Sequence, residues 1–325
     1  MHNPKALSIG LAGKILSNLL PARLMRSKRL FHLWEAKGYH VTPVNFYQPI
    51  PDTRDFPEDI FLRESILPGI ELNEPAQLAL LHEFNSRYRS EYCEFSYGSS
   101  KDKREFFFEN GVFETVDAEI LHCMVRQCKP RRVIEIGAGF STLITASAIR
   151  RNIADDPSYR CDLICVEPYP KAWIAEIPEV NSLIQSKVES VSLETFGRLE
   201  SNDILFIDSS HVVNIRNDVC FEYLEILPRL KEGVLVHVHD IVLPRMYCEY
   251  WFDQKFFWNE QYLLQAFLAF NTRFQIRWAG NLMHLRYPNE LALAFPSYSR
   301  FKNNIDQRKR QQGHKSFWIQ RMTIK

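Results

Sequence analysis

The second half of the chain alternates short apolar runs with segments whose apolar positions recur at helical spacing. RRVIEIGAG leads into a glycine turn, and FSTLITASAIRR continues as a helix. CDLICVEP (161–168) is the next run, KAWIAEIPEV a short helix, and SLIQSKVESV contains a third strand. SNDILFIDSSH (201–211) is the fourth, NDVCFEYLEILPRLK (217–231) is amphipathic, and GVLVHVHD supplies the fifth. WNEQYLLQAFLAFN (258–271) reads as a helix, and FQIRWAG and NELALAF (289–295) are expected to close the sheet. Strands alternating with helices predict an α/β fold, Rossmann-like and doubly wound, with a mostly parallel seven-stranded sheet. The strands are apolar without alternation, as burial on both faces requires.

Upstream the texture differs. Residues 31–115 are dense in aromatics and prolines, and Pro43, Pro49, Pro51, Pro57 and Pro68 punctuate short helices and turns. Residues 74–92 space Leu78, Leu81, His82 and Phe84 helically, and a second helix is expected over 115–128. The expected organisation is an N-terminal helical cap and substrate-side segment over 1–114, an α/β domain over 115–299, and a basic tail over 300–325. The tail is read as solvated and partly disordered, with Phe317 and Trp318 as anchors.

Composition narrows the function classes. An apolar fraction of 46% and a charged fraction of 24% suit a soluble globular protein. A net charge of +1 gives the whole chain no bias toward nucleic acid. The charge is unevenly spread. Residues 1–30 hold six Lys/Arg and no acid, and 300–325 hold eight Lys/Arg and Asp306 alone, so the body between is acidic. Residues 5–25 mix leucines with basic residues, which permits an interfacial helix or a transit peptide. The plainer reading is a short docking helix with a solvated basic face, broken at Pro21. Peripheral membrane contact through this end, and a homo-oligomer, are both compatible with it. No apolar run approaches the ~18 residues of a spanning helix. The seven cysteines are scattered without a CxxC pair, which implies a reducing compartment and no zinc site built on thiolates. A cytoplasmic protein is expected.

Ligands of open α/β sheets bind beyond the carboxyl ends of the strands. The first strand ends in Glu135-Ile136-Gly137-Ala138-Gly139-Phe140-Ser141, the second at Glu167, the fourth at Asp208 with His211 three further on, and the fifth at His239-Asp240. Polar residues thus gather on one predicted edge. The glycine turn has G-x-G, but Thr142 stands where a dinucleotide fingerprint wants its third glycine, which argues against NAD. Glu135 would repel a pyrophosphate and suits a ligand bearing an amino group. Glu167 stands where a carboxylate meets ribose hydroxyls. The blander readings are a tight turn for the glycines, a helix cap for Glu167, and a hydrogen-bonded core histidine for His237.

The set E-I-G-A-G-F-S at 135–141, Glu167 in VEP, D-S-S-H in ILFIDSSH, and P-R-L-K-E-G-V before the fifth strand resembles the class I S-adenosylmethionine-dependent methyltransferases. The 203–244 block looks most like bacterial members that act on glycans or other hydroxylated metabolites. The resemblance covers about residues 115–295. It implies that Gly137 and Gly139 hold the methionine part of S-adenosylmethionine and that Glu167 holds its ribose. Glu135, Ser141 and Asp208 join them as candidate cofactor-binding residues.

Methyl transfer to a hydroxyl needs a general base or a divalent cation that acidifies the hydroxyl. His211 and His239 are candidate bases, with Asp208 or Asp240 orienting the ring, so His211, His239 and Asp240 form the expected catalytic set. Metal-dependent catechol-type methyltransferases resemble the layout at Asp208 and Asp240, although Ile241 occupies their Asn position. A Mg or Mn ion on Asp208 and Asp240 is therefore the companion reading. The aromatic segments 41–53 and 247–260 are candidate walls or lids for a small-molecule or glycan acceptor. Two rivals remain: a non-catalytic S-adenosylmethionine-binding assembly protein, and a metal-dependent hydroxylase-like enzyme.

Overall fold

The computed structural model describes residues 14–15, 18–19, 22–99, 102, 104–304 and 314–323. Pro21 and residues 305–313 of the expected tail lie outside the described residues. The chain divides into two compact units, residues 1–60 and 61–325. The first holds the short helices Ala22–Met25 and Lys28–Glu35 and a 3-10 turn at Thr53–Asp55.

The second unit is a three-layer α/β structure. It opens with α1 (Glu74–Tyr92) and α2 (Asp117–Cys128). The sheet follows with β1 (Arg132–Ile136), α3 (Phe140–Asp155), β2 (Asp162–Val166) and β3 (Val180–Ile184). Next come β4 (Ile204–Ile207), α4 (Asp218–Phe221, running on into a π turn at Glu222–Ile226) and β5 (Leu235–Val238). The chain continues through α5 (Glu260–Leu268), β6 (Phe274–Ala279), α6 (Gly280–Arg286), α7 (Pro288–Ala294) and β7 (Phe317–Arg321). The strand order is β3-β2-β1-β4-β5-β7-β6. All pairings are parallel except those of β7, which runs antiparallel to both neighbours.

Successive side chains of each strand enter opposite cores, as the pleat dictates. Val133, Leu163, Phe206, Leu235 and Trp318 face one core, which α1, α2 and α3 close. Ile134, Val166, Leu205, Val236 and Ile319 face the other, which Val219 and Tyr223 of the α4 region and Leu264 of α5 close. The helices after β1 and β4 therefore leave toward opposite faces. That reversal opens a crevice at the carboxyl ends of β1 and β4.

Three expectations are corrected. Residues 61–114 are not a separate cap, because Leu80, Leu81, Phe84 and Tyr88 of α1 share a core with the sheet. His82 of that helix is exposed. NELALAF does not close the sheet: Pro288 starts α7, and Leu291, Ala294 and Phe295 are buried at helical spacing. The seventh strand comes from the stretch read as a solvated tail. Residues 315–316 are pinned to the start of α2, where the Asp117 carboxylate accepts the backbone N–H groups of Lys315 (3.1 Å) and Ser316 (2.9 Å) and the Ser316 hydroxyl (2.6 Å). This threads Phe317–Arg321 between β5 and β6, where Trp318 is fully buried.

Trp318→Ala should therefore cost about 3–5 kcal/mol of unfolding free energy. Chemical denaturation checks this, and a loss within the range of surface substitutions would mean that β7 is not an internal strand.

Candidate active site

Gly137 ends β1 with φ +82, and a Cβ there would lie 1.9 Å from the Asp208 carbonyl oxygen. Only glycine allows the ends of β1 and β4 to approach this closely. Gly139 is different: a Cβ there meets nothing within 4 Å. No packing against the protein requires glycine at 139, so the turn is open on that side.

A cleft of about 460 Å³ lies over this switch point, lined by Gly137, Glu167, Lys187, Glu189, Asp208 and Asp218 among others. Its size is ordinary for a small-molecule site. The Glu167 carboxylate accepts the Ala138 N–H at 3.3 Å and the Tyr169 N–H at 2.8 Å, so the glycine turn holds it at the lip.

Glu135 and Ser141 are not on that lip. Both are buried, and the Ser141 hydroxyl donates to the Glu135 carboxyl. Burial pushes the Glu135 carboxyl up to about 8, against the opposing pull of the Ser141 hydrogen bond, with the charge of Asp208 adding to the rise. Near neutral pH the group is uncharged, which corrects the expectation of a carboxylate repelling a pyrophosphate.

The histidines and aspartates of the β4 and β5 ends do come together. His211 Nε2 lies 3.3 Å from Asp208 Oδ1 and 3.3 Å from Asp240 Oδ2. His211 Nδ1 lies 2.9 Å from Glu260 Oε2, and the Tyr223 hydroxyl donates to Glu260 Oε1 at 3.0 Å. The Lys315 ammonium lies 2.6 Å from Asp240 Oδ1. His211 and Asp240 both sit in the left-handed backbone region, at φ +60 and +54. Non-glycine residues held this way typically cost ~1–3 kcal/mol and cluster at functional sites.

The charges of the cluster are interlocked. Burial alone would strip the proton from His211, but Asp208, Glu260 and Asp240 outweigh it and hold the ring protonated well above its ordinary range. Burial would likewise raise the Asp240 carboxyl, yet Lys315, His239 and His211 hold it below the usual carboxylate range. Lys315, opposed by burial, is kept charged chiefly by Asp240. His211, the first candidate base, therefore carries its proton already in this arrangement.

His239 lies 3.8 Å from Asp240 through Nε2 and 3.4 Å from His237 Nε2 through Nδ1. His237 is a core residue. It stacks on Phe206 with ring centroids 4.1 Å apart, and burial, reinforced by His239, keeps it neutral. The cluster is nearly closed off from solvent, and Asp208, which also lines the cleft, joins the two. Part of the aromatic segment 247–260 covers it: Trp258 lies 4.6 Å from the His211 ring, and Lys315 sits 5.4 Å from the Trp251 ring.

Glu260 and Lys315 are the two cluster members that sequence reasoning missed. Glu260 starts a helix directly after an aromatic run, with no motif around it. Lys315 is hidden among the eight basic residues of the last stretch. The pattern FWIQR, apolar and aromatic inside a basic context, was the one signal that a strand begins beside it.

Residues 134–241 match the family model of a methyltransferase domain. The chain is 31% identical over 174 residues to an uncharacterized protein of Archaeoglobus fulgidus, an alignment covering 50% of this chain and 75% of that protein. Among solved structures, the plantazolicin methyltransferase BpumL in complex with SAH overlaps 78% of this chain and 98% of its own, at 12% identity and a TM-score of 0.33. The CmcI-N160 apo-structure overlaps 88% and 91%, at 12% identity and the same score. This chain belongs to the class I S-adenosylmethionine-dependent methyltransferase family and is an enzyme of that class. Among the described residues no helix is long and apolar enough to cross a membrane.

The state of Glu135 is testable through stability. Its carboxyl rises from 4.5 to about 8 on folding, so the folded protein binds one more proton than the unfolded chain between those values. Wild-type stability should fall across that window relative to Glu135→Gln, the difference between the two being constant below it and constant again above it. Melting temperatures of both proteins from about pH 5 to 8.5 read this directly, and a pH-independent difference would mean that Glu135 is ionised.

Proposed function

We propose that the protein transfers the methyl group of S-adenosylmethionine to a hydroxyl oxygen of a glycan or small hydroxylated metabolite. The observation that carries this reading is Asp208, which belongs both to the cleft over the glycine turn and to the buried His211–Asp240 cluster. A donor in the cleft would present its methyl group toward the cluster, and an acceptor hydroxyl beside the cluster would meet it.

The roles follow from chemistry. Gly137 and Gly139 let the methionine part approach the backbone. Glu167 offers two carboxylate oxygens to two vicinal ribose hydroxyls. In the transfer a bond forms between the acceptor oxygen and the methyl carbon, and the carbon–sulfur bond breaks. The hydroxyl proton must leave, because a neutral hydroxyl is a poor nucleophile.

The donor set fits a divalent cation. Asp208, His211 and Asp240 each offer one ligand atom, all within 4.8 Å of one another. A bound cation would displace the Nε2 proton of His211, and Glu260 at Nδ1 would hold the tautomer whose Nε2 lone pair faces the metal, the outer support that metal-bound imidazoles usually have. Once His211 gives up its proton, Asp208, Asp240 and Glu260 would face only the ammonium of Lys315, which leaves negative charge for a cation to match. Two carboxylates and an imidazole favour manganese, iron or zinc over magnesium. Such a cation would lower the pKa of a bound hydroxyl. His239, beside Asp240, is the alternative proton acceptor.

Calorimetry with S-adenosylhomocysteine tests the cofactor assignment. Micromolar binding is expected, weakened at least about tenfold in Glu167→Ala through loss of its charge-assisted hydrogen bonds. No heat with the wild type would sink the cleft assignment. For the cluster, methyl transfer from labelled S-adenosylmethionine to a panel of hydroxylated acceptors should stop on chelation and return with manganese. Turnover indifferent to chelator, yet lost in His239→Ala, would move the proton to His239 and discard the cation.

A further inference from the structure

The described residues of the first unit bury no side chain, although the segment is rich in leucine and aromatic residues. Leu33 is 63% exposed, Val44 61%, Phe46 87% and Tyr47 83%. A folded segment that leaves this much apolar surface in water marks a contact site.

The charge pattern says what kind of contact. Residues 1–34 carry six Lys/Arg and no acidic residue. In the helix Lys28–Glu35, Leu30, Leu33 and Trp34 recur at helical spacing, while Lys28, His32 and Glu35 line another face. Leu24, itself exposed, precedes this helix within the same acid-free stretch. Aliphatic and aromatic side chains beside the acid-free basic stretch that ends at Glu35 match the boundary of an anionic bilayer, where apolar groups enter the acyl region and cations stay among the headgroups. Nucleic acid would use the charges but leave the leucines in water. A second copy docked through this same face would set one basic surface against another, which is repulsive.

We propose that residues 24–60 form a peripheral docking surface for anionic lipid. The surface holds the enzyme at a membrane without spanning it, and the acceptor chemistry of the second unit does not enter the argument.

The test is co-sedimentation of the full chain with vesicles of phosphatidylcholine alone and with about 30% phosphatidylglycerol. Recovery should be about tenfold or more higher on the anionic vesicles and should fall as salt is raised toward ~0.5 M. Leu24→Glu/Leu33→Glu and Lys28→Glu/Arg29→Glu should each cut it by about tenfold or more. Both should leave the melting temperature and S-adenosylhomocysteine binding of the second unit unchanged. Equal recovery on the two vesicles, or recovery indifferent to both variants, overturns the proposal. Dimers in sedimentation velocity that the leucine variant disperses would assign the surface to a second copy. Retention by DNA that the leucine variant does not alter, without lipid binding, would assign it to nucleic acid.

Discussion

A carboxylate taken out of water must find its counter-charge within the protein. Asp240 is such a group. It is buried at the end of β5 on a left-handed backbone, with Lys315 on one oxygen and His211 on the other. Those partners come from the two directions that define the fold. His211 follows β4, and Lys315 precedes β7, which Asp117 ties to the start of α2. A chain lacking β7 would leave the Asp240 charge without its ammonium, so completing the sheet and neutralising the cluster are one event.

The second constraint is steric. The β1 and β4 ends approach until no Cβ fits at Gly137. This brings the Asp208 carboxylate to the cleft while its strand anchors the charged cluster. The helices after β1 and β4 leave on opposite faces, so the crevice between them stays open. The cleft is open to a small-molecule ligand, and beside it lies the buried cluster, a drier place where charges act strongly.

Several parts of this were legible beforehand because they are local. The glycine turn, the carboxylate of VEP and the polar ends of ILFIDSSH and VHVHD carry their meaning within a few residues. Apolar runs of β-branched residues announced β1 to β5. The reading failed where the cause was distant. FWIQR looked solvated because its neighbours are basic, and the contact that makes it a strand lies near residue 117. NELALAF looked like a strand because its helical spacing is short. Glu135 looked charged because its burial depends on helix α3 folding over it.

The sequence by itself determined the alternating α/β pattern, the glycine bend and the residue types available at each strand end, since periodicity and turn chemistry act over a few residues. The tertiary structure alone decided which of those residues meet. It placed Glu260 and Lys315 against His211 and Asp240 across dozens of residues, and it withdrew Glu135 and Ser141 from the cleft. It also set the protonation of His211, because that depends on three carboxylates from separate elements and on the burial of the ring. Burial and the convergence of charges are properties of packing, and no short stretch of chain contains them.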